Sequence, residues 1–102
     1  MIRFLTVAAL VLAGPAFAET DAEKQDRCAL QSDIVAQAVD LRSRHKSEMR
    51  ATKTIQKAEG IAGTKYQANV DVLVNWVYSL PDDQVNEGVA RSFTDACLAY
   101  SQ

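Results

Sequence analysis

Two cysteines, Cys28 and Cys97, constrain the fold of this chain more than any other feature of its sequence. They are the only cysteines in 102 residues, so only one intramolecular disulfide is possible. Such a bridge would close a loop of about 70 residues, for which the chain-entropy model gives roughly 4 kcal/mol of stabilisation. The alternatives are two free thiols, an intermolecular bridge or a metal site, for which His45 is the only histidine.

The first 18 residues, Met1 to Ala18, have the pattern of a cleavable signal peptide. A positive charge at Arg3 precedes an apolar run over residues 4–13, and Ala16-Phe17-Ala18 provides the small-x-small site that a signal peptidase accepts. The run has about 10 residues, whereas a helix that crosses a bilayer needs about 20, so a membrane anchor is not expected. Because Pro15 would end a helix, we also do not expect this segment to be the first helix of the fold.

We therefore predict that residues 19–102 form a single periplasmic domain without a transmembrane segment. In that oxidising compartment, Cys28 and Cys97 are predicted to form the intramolecular disulfide. Removal of residues 1–18 takes away one of the 11 basic residues and none of the 13 acidic residues, which leaves a mildly acidic chain. This charge and this compartment argue against nucleic acid as a partner.

The pattern of apolar residues predicts an all-α fold, because no window after residue 18 combines β-branched alternation with hairpin turn signals. We predict a small four-helix bundle in which one disulfide joins the first and last helices. Its helices are expected at 21–44, at 47–59, from a capping box at Thr64 to Pro81, and at 89–100 after a helical turn at 82–87 and a bend near Gly88. The sequence leaves open whether the first two helices are continuous through His45.

The third helix is apolar nearly all round, which predicts that it lies at the centre of the domain near Trp76. Its main stripe consists of Tyr66, Val70, Leu73, Val77 and Leu80, flanked by Val72, Val74 and Trp76. On the first helix, the spacing of Glu23 with Arg27 and of Asp40 with Arg44 predicts two i,i+4 ion pairs.

The sequence contains few residue sets suited to catalysis, and we expect neither enzymatic activity nor a metal or other cofactor. His45 is the only histidine and lies in a charged segment between Arg44 and Lys46, and the disulfide would leave no free thiol as a nucleophile. Asp82, Asp83 and Glu87 form the densest acidic group, but their place at a helix start is explained by capping and the helix dipole. No CxxC motif or glycine-rich phosphate loop is present.

A basic stripe in the middle of the chain is the first candidate binding surface. Cations recur at three- and four-residue spacing, which on one helix places them on a shared face: Arg42, Lys46, Arg50, Lys53 and Lys57. The stripe is either a solvated face or a contact surface for an anionic partner, such as an acidic protein, lipid headgroups or a cell-wall polymer.

A narrow polar strip on the third helix is the second candidate. Asp71, Asn75 and Tyr78 interrupt an otherwise apolar cylinder. They are either the solvent-facing edge of that helix or, together with Trp76, the wall of a groove that orients a small ligand or a peptide.

Two segments, Asn75-Trp76-Val77-Tyr78-Ser79-Leu80-Pro81 and Phe93-Thr94-Asp95-Ala96-Cys97-Leu98, resemble a family of small exported proteins of alphaproteobacteria. The resemblance extends over nearly the whole chain after residue 18 and includes both cysteines, but it implies no activity and no site residues. The chain is more loosely similar to helical, disulfide-bridged periplasmic immunity proteins of the Tai type. Those proteins usually end in Pro-Cys, where this chain has Ala96-Cys97.

From these features we expect a non-enzymatic interaction protein of the cell envelope, which binds another envelope protein through a helical face. The alternatives are a periplasmic stress chaperone and an immunity protein that neutralises a toxin. The identity of the partner and the oligomeric state do not follow from the sequence.

Overall fold

The computed structural model describes residues 19–100, and the predicted signal peptide at residues 1–18 lies outside them. Four α-helices are present: α1 (Asp21–Ser43), α2 (Glu48–Gln56), α3 (Val70–Ser79) and α4 (Gly88–Ala99). Two short 3-10 helices, η1 (Lys65–Asn69) and η2 (Asp82–Gln84), precede α3 and α4. The described part of the chain contains no strand, so the prediction of an all-α four-helix fold is confirmed.

The first helix begins at a capping box that involves Thr20 and Glu23. The Thr20 hydroxyl accepts a hydrogen bond from the Glu23 backbone N–H, and the Glu23 carboxylate accepts one from the Thr20 N–H. Each side chain thereby satisfies a backbone donor that the helix itself leaves free. α1 packs against α2, α3 and α4, and it buries Ile34, Val35 and Ala38 completely. The longest helix therefore organises the core.

The end of α1 settles whether the first two helices are continuous: they are separate. His45 has a φ of +63° and donates its backbone N–H to the Arg42 carbonyl, while the Lys46 N–H bonds to the Leu41 carbonyl. These two bonds define a Schellman motif, which uses a left-handed residue to end a helix. The chain reverses there, and Ser47 then caps the start of α2, since its hydroxyl accepts from the Arg50 N–H.

The segment before α3 differs from the predicted capping box. The Thr64 hydroxyl accepts from the Tyr66 N–H and begins the 3-10 helix η1 rather than an α-helix. Gln67 does not return to the Thr64 backbone: its side chain accepts from the Gly63 N–H and donates to the Gln56 carbonyl. The predicted reciprocal pair is wrong because the Gln67 amide joins this turn to the end of α2.

The core-facing stripe of α3 consists of Val70, Val74 and Val77, all fully buried. Val74 was predicted to flank this stripe, whereas it lies within it. The helix is not enclosed on all sides, because Val72 is 66% exposed and Trp76 is 39% exposed. α3 therefore contributes one face to the core, and the prediction that Trp76 marks the centre of the domain is wrong.

The predicted bridge between Cys28 and Cys97 is present and joins α1 to α4, with 5.7 Å between the two Cα atoms. Both cysteines are buried, so the alternatives of free thiols, an intermolecular bridge and a cysteine metal site do not apply. A second link lies further along the same helix pair, where the Ser32 hydroxyl bonds with the Ala90 carbonyl and the Thr94 hydroxyl. Within residues 19–100, no helix is long and apolar enough to cross a membrane.

Candidate binding surfaces

Arg42, the first residue of the predicted basic stripe, has its polar partners within the molecule. Its guanidinium donates to the carbonyls of Val77 and Leu80, each at 2.7 Å, and to the Asp82 carboxylate at 2.7 Å. It also lies 5.9 Å from the centre of the Tyr78 ring. A cation at the carboxyl end of a helix is favoured by the helix dipole and supplements the few donors that its last carbonyls find. Here the Val77 carbonyl otherwise accepts only from the Leu80 N–H, at 3.3 Å. Arg42 thus caps α3.

The remaining four cations do not continue a face of α1, because that helix ends before Lys46. Lys46 lies in the turn between α1 and α2, and its carbonyl accepts from the Tyr78 hydroxyl at 2.8 Å. Arg50, Lys53 and Lys57 follow along α2 at three- and four-residue spacing and share one side of it. We call Lys46, Arg50, Lys53 and Lys57 the basic face, and all four residues are exposed.

A shallow surface cavity of about 330 Å³ lies along the basic face. Arg50, Lys53 and Lys57 line it together with Ser47 and Thr54. Among the described residues, none of these three cations has a carboxylate within 4.0 Å, whereas Arg27, Arg42 and Arg44 are all ion-paired. The positive charge of the basic face is therefore available to a partner.

Met49 adds an apolar element to this surface. It lines the same cavity and is 69% exposed, more than any other large apolar side chain of the described chain. A methionine side chain is flexible and polarisable, so it adapts to a partner surface. Arg and Met are both enriched in the cores of protein interfaces.

The predicted polar strip of α3 is bound within the molecule rather than open as a groove. Asn75 donates its amide N–H to the Glu48 carboxylate at 2.9 Å, and Tyr78 donates to the Lys46 carbonyl. Asp71 accepts from the N–H of the residue that follows it. Burial raises the pKa of the Tyr78 hydroxyl, which keeps it a hydrogen-bond donor. Asn75 and Tyr78 therefore hold the start of α2 against α3.

Trp76 is separate from this strip, because consecutive residues of a helix point about 100° apart. Its ring lies 6.1 Å from that of Phe93 on α4. It lines a surface cavity of about 360 Å³ between the end of α3, η2 and the start of α4. We call this cavity the Trp76 groove, and its main lining residues are Trp76, Leu80, Asp83, Asn86, Val89 and Ser92.

The sequence analysis placed Trp76 in a possible groove with Asp71, Asn75 and Tyr78, but none of those three residues lines this cavity, and Asp83 was assigned to helix capping. In the structure, α4 begins only at Gly88, and the Asn86 side chain accepts from the Gly88 N–H at 2.8 Å. Asp83 is an exposed residue of η2, and its side chain makes no hydrogen bond to a described residue. The useful signal was Pro81, which ends α3 and creates the corner that the groove occupies.

A third polar cluster lies near the disulfide. Arg27 donates two hydrogen bonds to the Glu19 carboxylate, from Nε at 2.8 Å and from Nη2 at 3.0 Å. Its remaining nitrogen, Nη1, lies 3.2 Å from the Cys97 sulfur. The predicted pair of Arg27 with Glu23 is wrong, since Glu23 is occupied at the capping box of Thr20. The predicted pair of Asp40 with Arg44 is present at 3.2 Å.

His45 is exposed, and its side chain makes no hydrogen bond to a described residue. Residues 19–100 contain no group of three or more His, Cys, Asp and Glu side chains placed to hold a metal ion. In comparisons with known proteins, the chain matches no family model, no curated protein and no solved structure. The basic face and the Trp76 groove each combine charged side chains with an exposed apolar side chain, Met49 and Trp76 respectively.

Proposed function

We propose that this chain is an exported, non-enzymatic binding protein of the cell envelope, whose basic face contacts an acidic surface of another protein. The observation that carries the proposal is the grouping of three cations without an ion pair along one cavity. Arg27, Arg42 and Arg44 are ion-paired within the molecule, whereas Arg50, Lys53 and Lys57 line one cavity without a carboxylate in reach among the described residues.

Such a face suits binding because association breaks no internal ion pair. Complementary charge accelerates encounter and disfavours partners of the wrong charge. The exposed Met49 provides apolar area beside the charges, and apolar contact supplies affinity that screened surface charges do not. α2 itself is held by the buried Ala51 and Ile55 and by the Asn75–Glu48 hydrogen bond, so the face is presented on a fixed element.

Export is supported by the signal-peptide pattern of residues 1–18 and by the disulfide, since such bridges persist in oxidising compartments. The non-enzymatic assignment is supported by the use of both cysteines in that bridge and by the isolated position of His45. Intact mass of the native protein tests the first point, because cleavage after Ala18 leaves Glu19 as the first residue. A mass that retains Met1 would contradict export by this signal.

Affinity purification from periplasm, followed by mass spectrometry, tests the binding surface. The triple variant Arg50→Glu, Lys53→Glu and Lys57→Glu should lose the partners that the natural chain retains. The matched control is Lys24→Glu, Lys65→Glu and Arg91→Glu, which changes the net charge by the same amount at residues that do not line the cavity. Circular dichroism confirms that both variants fold. An unchanged partner list for the first variant would rule out the basic face as the contact with any other envelope protein.

A further inference from the structure

We infer that the acidic partner of the basic face is a second copy of this chain, which receives Met49 in its Trp76 groove. The inference rests on the proposed function, because it uses the same basic face. It adds the identity of the partner and assigns a role to a groove that the proposed function leaves unused.

The Trp76 groove combines an apolar wall with a negative rim. Trp76, Leu80 and Val89 supply the apolar part, and Phe93 packs behind the indole ring of Trp76. Trp76 remains 39% exposed, although tryptophan is usually well covered in folded proteins. The groove is therefore an apolar surface that the chain does not cover with its own described residues.

Two carboxylates without a cation in reach lie at or next to the groove: Asp83 lines it, and Glu87 lies between its lining residues Asn86 and Gly88 in the sequence. The only ion pair at this corner joins Arg42 to Asp82. Among residues 19–100, neither Asp83 nor Glu87 has a cationic nitrogen within 4.0 Å. Both residues are exposed; Asp83 lines the groove itself, whereas Glu87 lines a neighbouring cavity against α1 that shares Asn86 with the groove. The corner of η2 and α4 thus presents negative charge beside the apolar wall.

The basic face has the complementary arrangement. Met49 projects from α2 as an exposed apolar side chain, and Arg50 and Lys53 line the same cavity beside it. A methionine sulfur makes favourable contact with an aromatic ring, worth about 0.3–1.5 kcal/mol, and Trp76 supplies that ring. The cations can then pair with Asp83 and Glu87 of the other copy. One chain therefore carries both sides of a contact: the basic face supplies an apolar side chain with positive charges, and the Trp76 groove supplies an apolar wall with negative charges.

The basic face and the Trp76 groove are different surfaces, so each copy carries one basic face and one groove. Two copies can pair reciprocally, or copies can join head to tail, and the same residues meet in both arrangements. Both forms depend on charge, so self-association should weaken as salt shortens the Debye length.

Sedimentation velocity of residues 19–102 with the disulfide intact tests the inference. The mean mass should rise with protein concentration in low salt and return to that of the monomer in high salt. The face variant Arg50→Glu with Lys53→Glu, and the groove variant Asp83→Lys with Glu87→Lys, should each raise the concentration needed for association at least about tenfold. A chain that is monomeric at every concentration in low salt would overturn the inference.

Mixing the two variants provides the decisive control. In an equimolar mixture, the reversed face meets the reversed groove and the natural face meets the natural groove, so association should recover. Recovery cannot arise from misfolded variants, and circular dichroism of each one checks its helix content. Failure of the mixture to associate would refute the pairing of these two surfaces.

The outcomes also separate this inference from the proposed function. If the natural chain is monomeric but charge reversal on α2 removes another envelope protein from the pull-down, the proposed function stands and self-association is refuted. If self-association occurs and neither variant alters it, the basic face has no part in that contact and this inference fails. If the triple variant also left the pull-down unchanged, the proposed function would be refuted as well.

Discussion

The Arg42 guanidinium donates a hydrogen bond of 2.7 Å to the Leu80 carbonyl, across 38 positions of sequence. The same nitrogen bonds to the Val77 carbonyl, and the other terminal nitrogen bonds to Asp82. One side chain of α1 thereby terminates α3 and fixes the start of the next segment. A residue that resembles part of a charged surface in the sequence is in fact a structural link between three elements.

Removal of this link should destabilise the domain. Arg42→Ala leaves the Leu80 carbonyl without its guanidinium donor and leaves the Val77 carbonyl with only the 3.3 Å bond from the Leu80 N–H. Hydrogen bonds that involve a charged group contribute about 1.5–3 kcal/mol. We expect a loss of about 2–3 kcal/mol in the free energy of unfolding, measured by urea denaturation of the oxidised protein. Arg44→Ala is the matched control, since its exposed pair with Asp40 is worth only about 0.3–0.5 kcal/mol. Equal losses in the two variants would contradict the role of Arg42.

His45→Gly should stabilise the domain. The left-handed backbone of His45 costs a residue with a Cβ atom roughly 1–2 kcal/mol, and glycine relieves that strain. The greater freedom of glycine in the unfolded chain offsets part of this gain, so we expect a net increase of about 0.5–1 kcal/mol. In a domain of this size that raises the Tm by several degrees, roughly 2–8 °C. His45→Val, which introduces a β-branched side chain at the same position, should lower the Tm.

Loss of the disulfide should remove about 4 kcal/mol of stability, according to the chain-entropy model for a loop of this length. The double variant Cys28→Ser and Cys97→Ser tests this value without creating a lone reactive thiol. Denaturant titrations of the natural chain with and without reductant should reproduce the difference. If the reduced chain unfolds at the same denaturant concentration as the oxidised chain, the bridge does not limit stability.

The stability should decrease at acidic pH because of two carboxylates at the start of α1. The hydrogen bond from Arg27 lowers the pKa of Glu19, and the hydrogen bond from the Thr20 backbone N–H lowers the pKa of Glu23. A carboxylate with a lowered pKa stabilises the folded state above its unfolded pKa of about 4.5, and this contribution disappears as the pH falls through the folded value. The free energy of unfolding should therefore change little between pH 7 and pH 6 and fall below about pH 4.5.

Glu19→Gln should reduce this acid dependence, and Arg27→Gln should reduce it to a similar degree, since each removes the same ion pair. The double variant should add little to either single change, because both act through one interaction. Fully additive losses at pH 7 would show that Glu19 and Arg27 act independently and would contradict their pairing.

The features that the sequence predicted well depend on local or covalent constraints. α1 was predicted to within one residue of its ends, because its apolar periodicity is regular. The disulfide was predictable because only two cysteines exist. Pro81 correctly marked the end of α3, since proline cannot continue a helix.

The errors arose where tertiary contacts override local spacing. The basic stripe assumed a continuous helix through His45, and a histidine gives little indication of a left-handed backbone, which glycine adopts far more readily. Trp76 was placed in the core because apolar residues surround it on α3, yet only one face of that helix meets α1 and α2. The bonds of Arg42 to residues 77–82 are long-range, so no helical spacing could reveal them.

The separation of 69 positions between Cys28 and Cys97 also has a consequence in time. Ribosomes add about 5–20 residues per second, so roughly 3–14 s pass between the synthesis of the first cysteine and that of the second. During that interval, Cys28 is a thiol without its native partner, on a helix whose packing partners are still being made. Covalent closure is therefore a late event for this domain: it requires the second cysteine to be made and, in an exported chain, both cysteines to have reached an oxidising compartment.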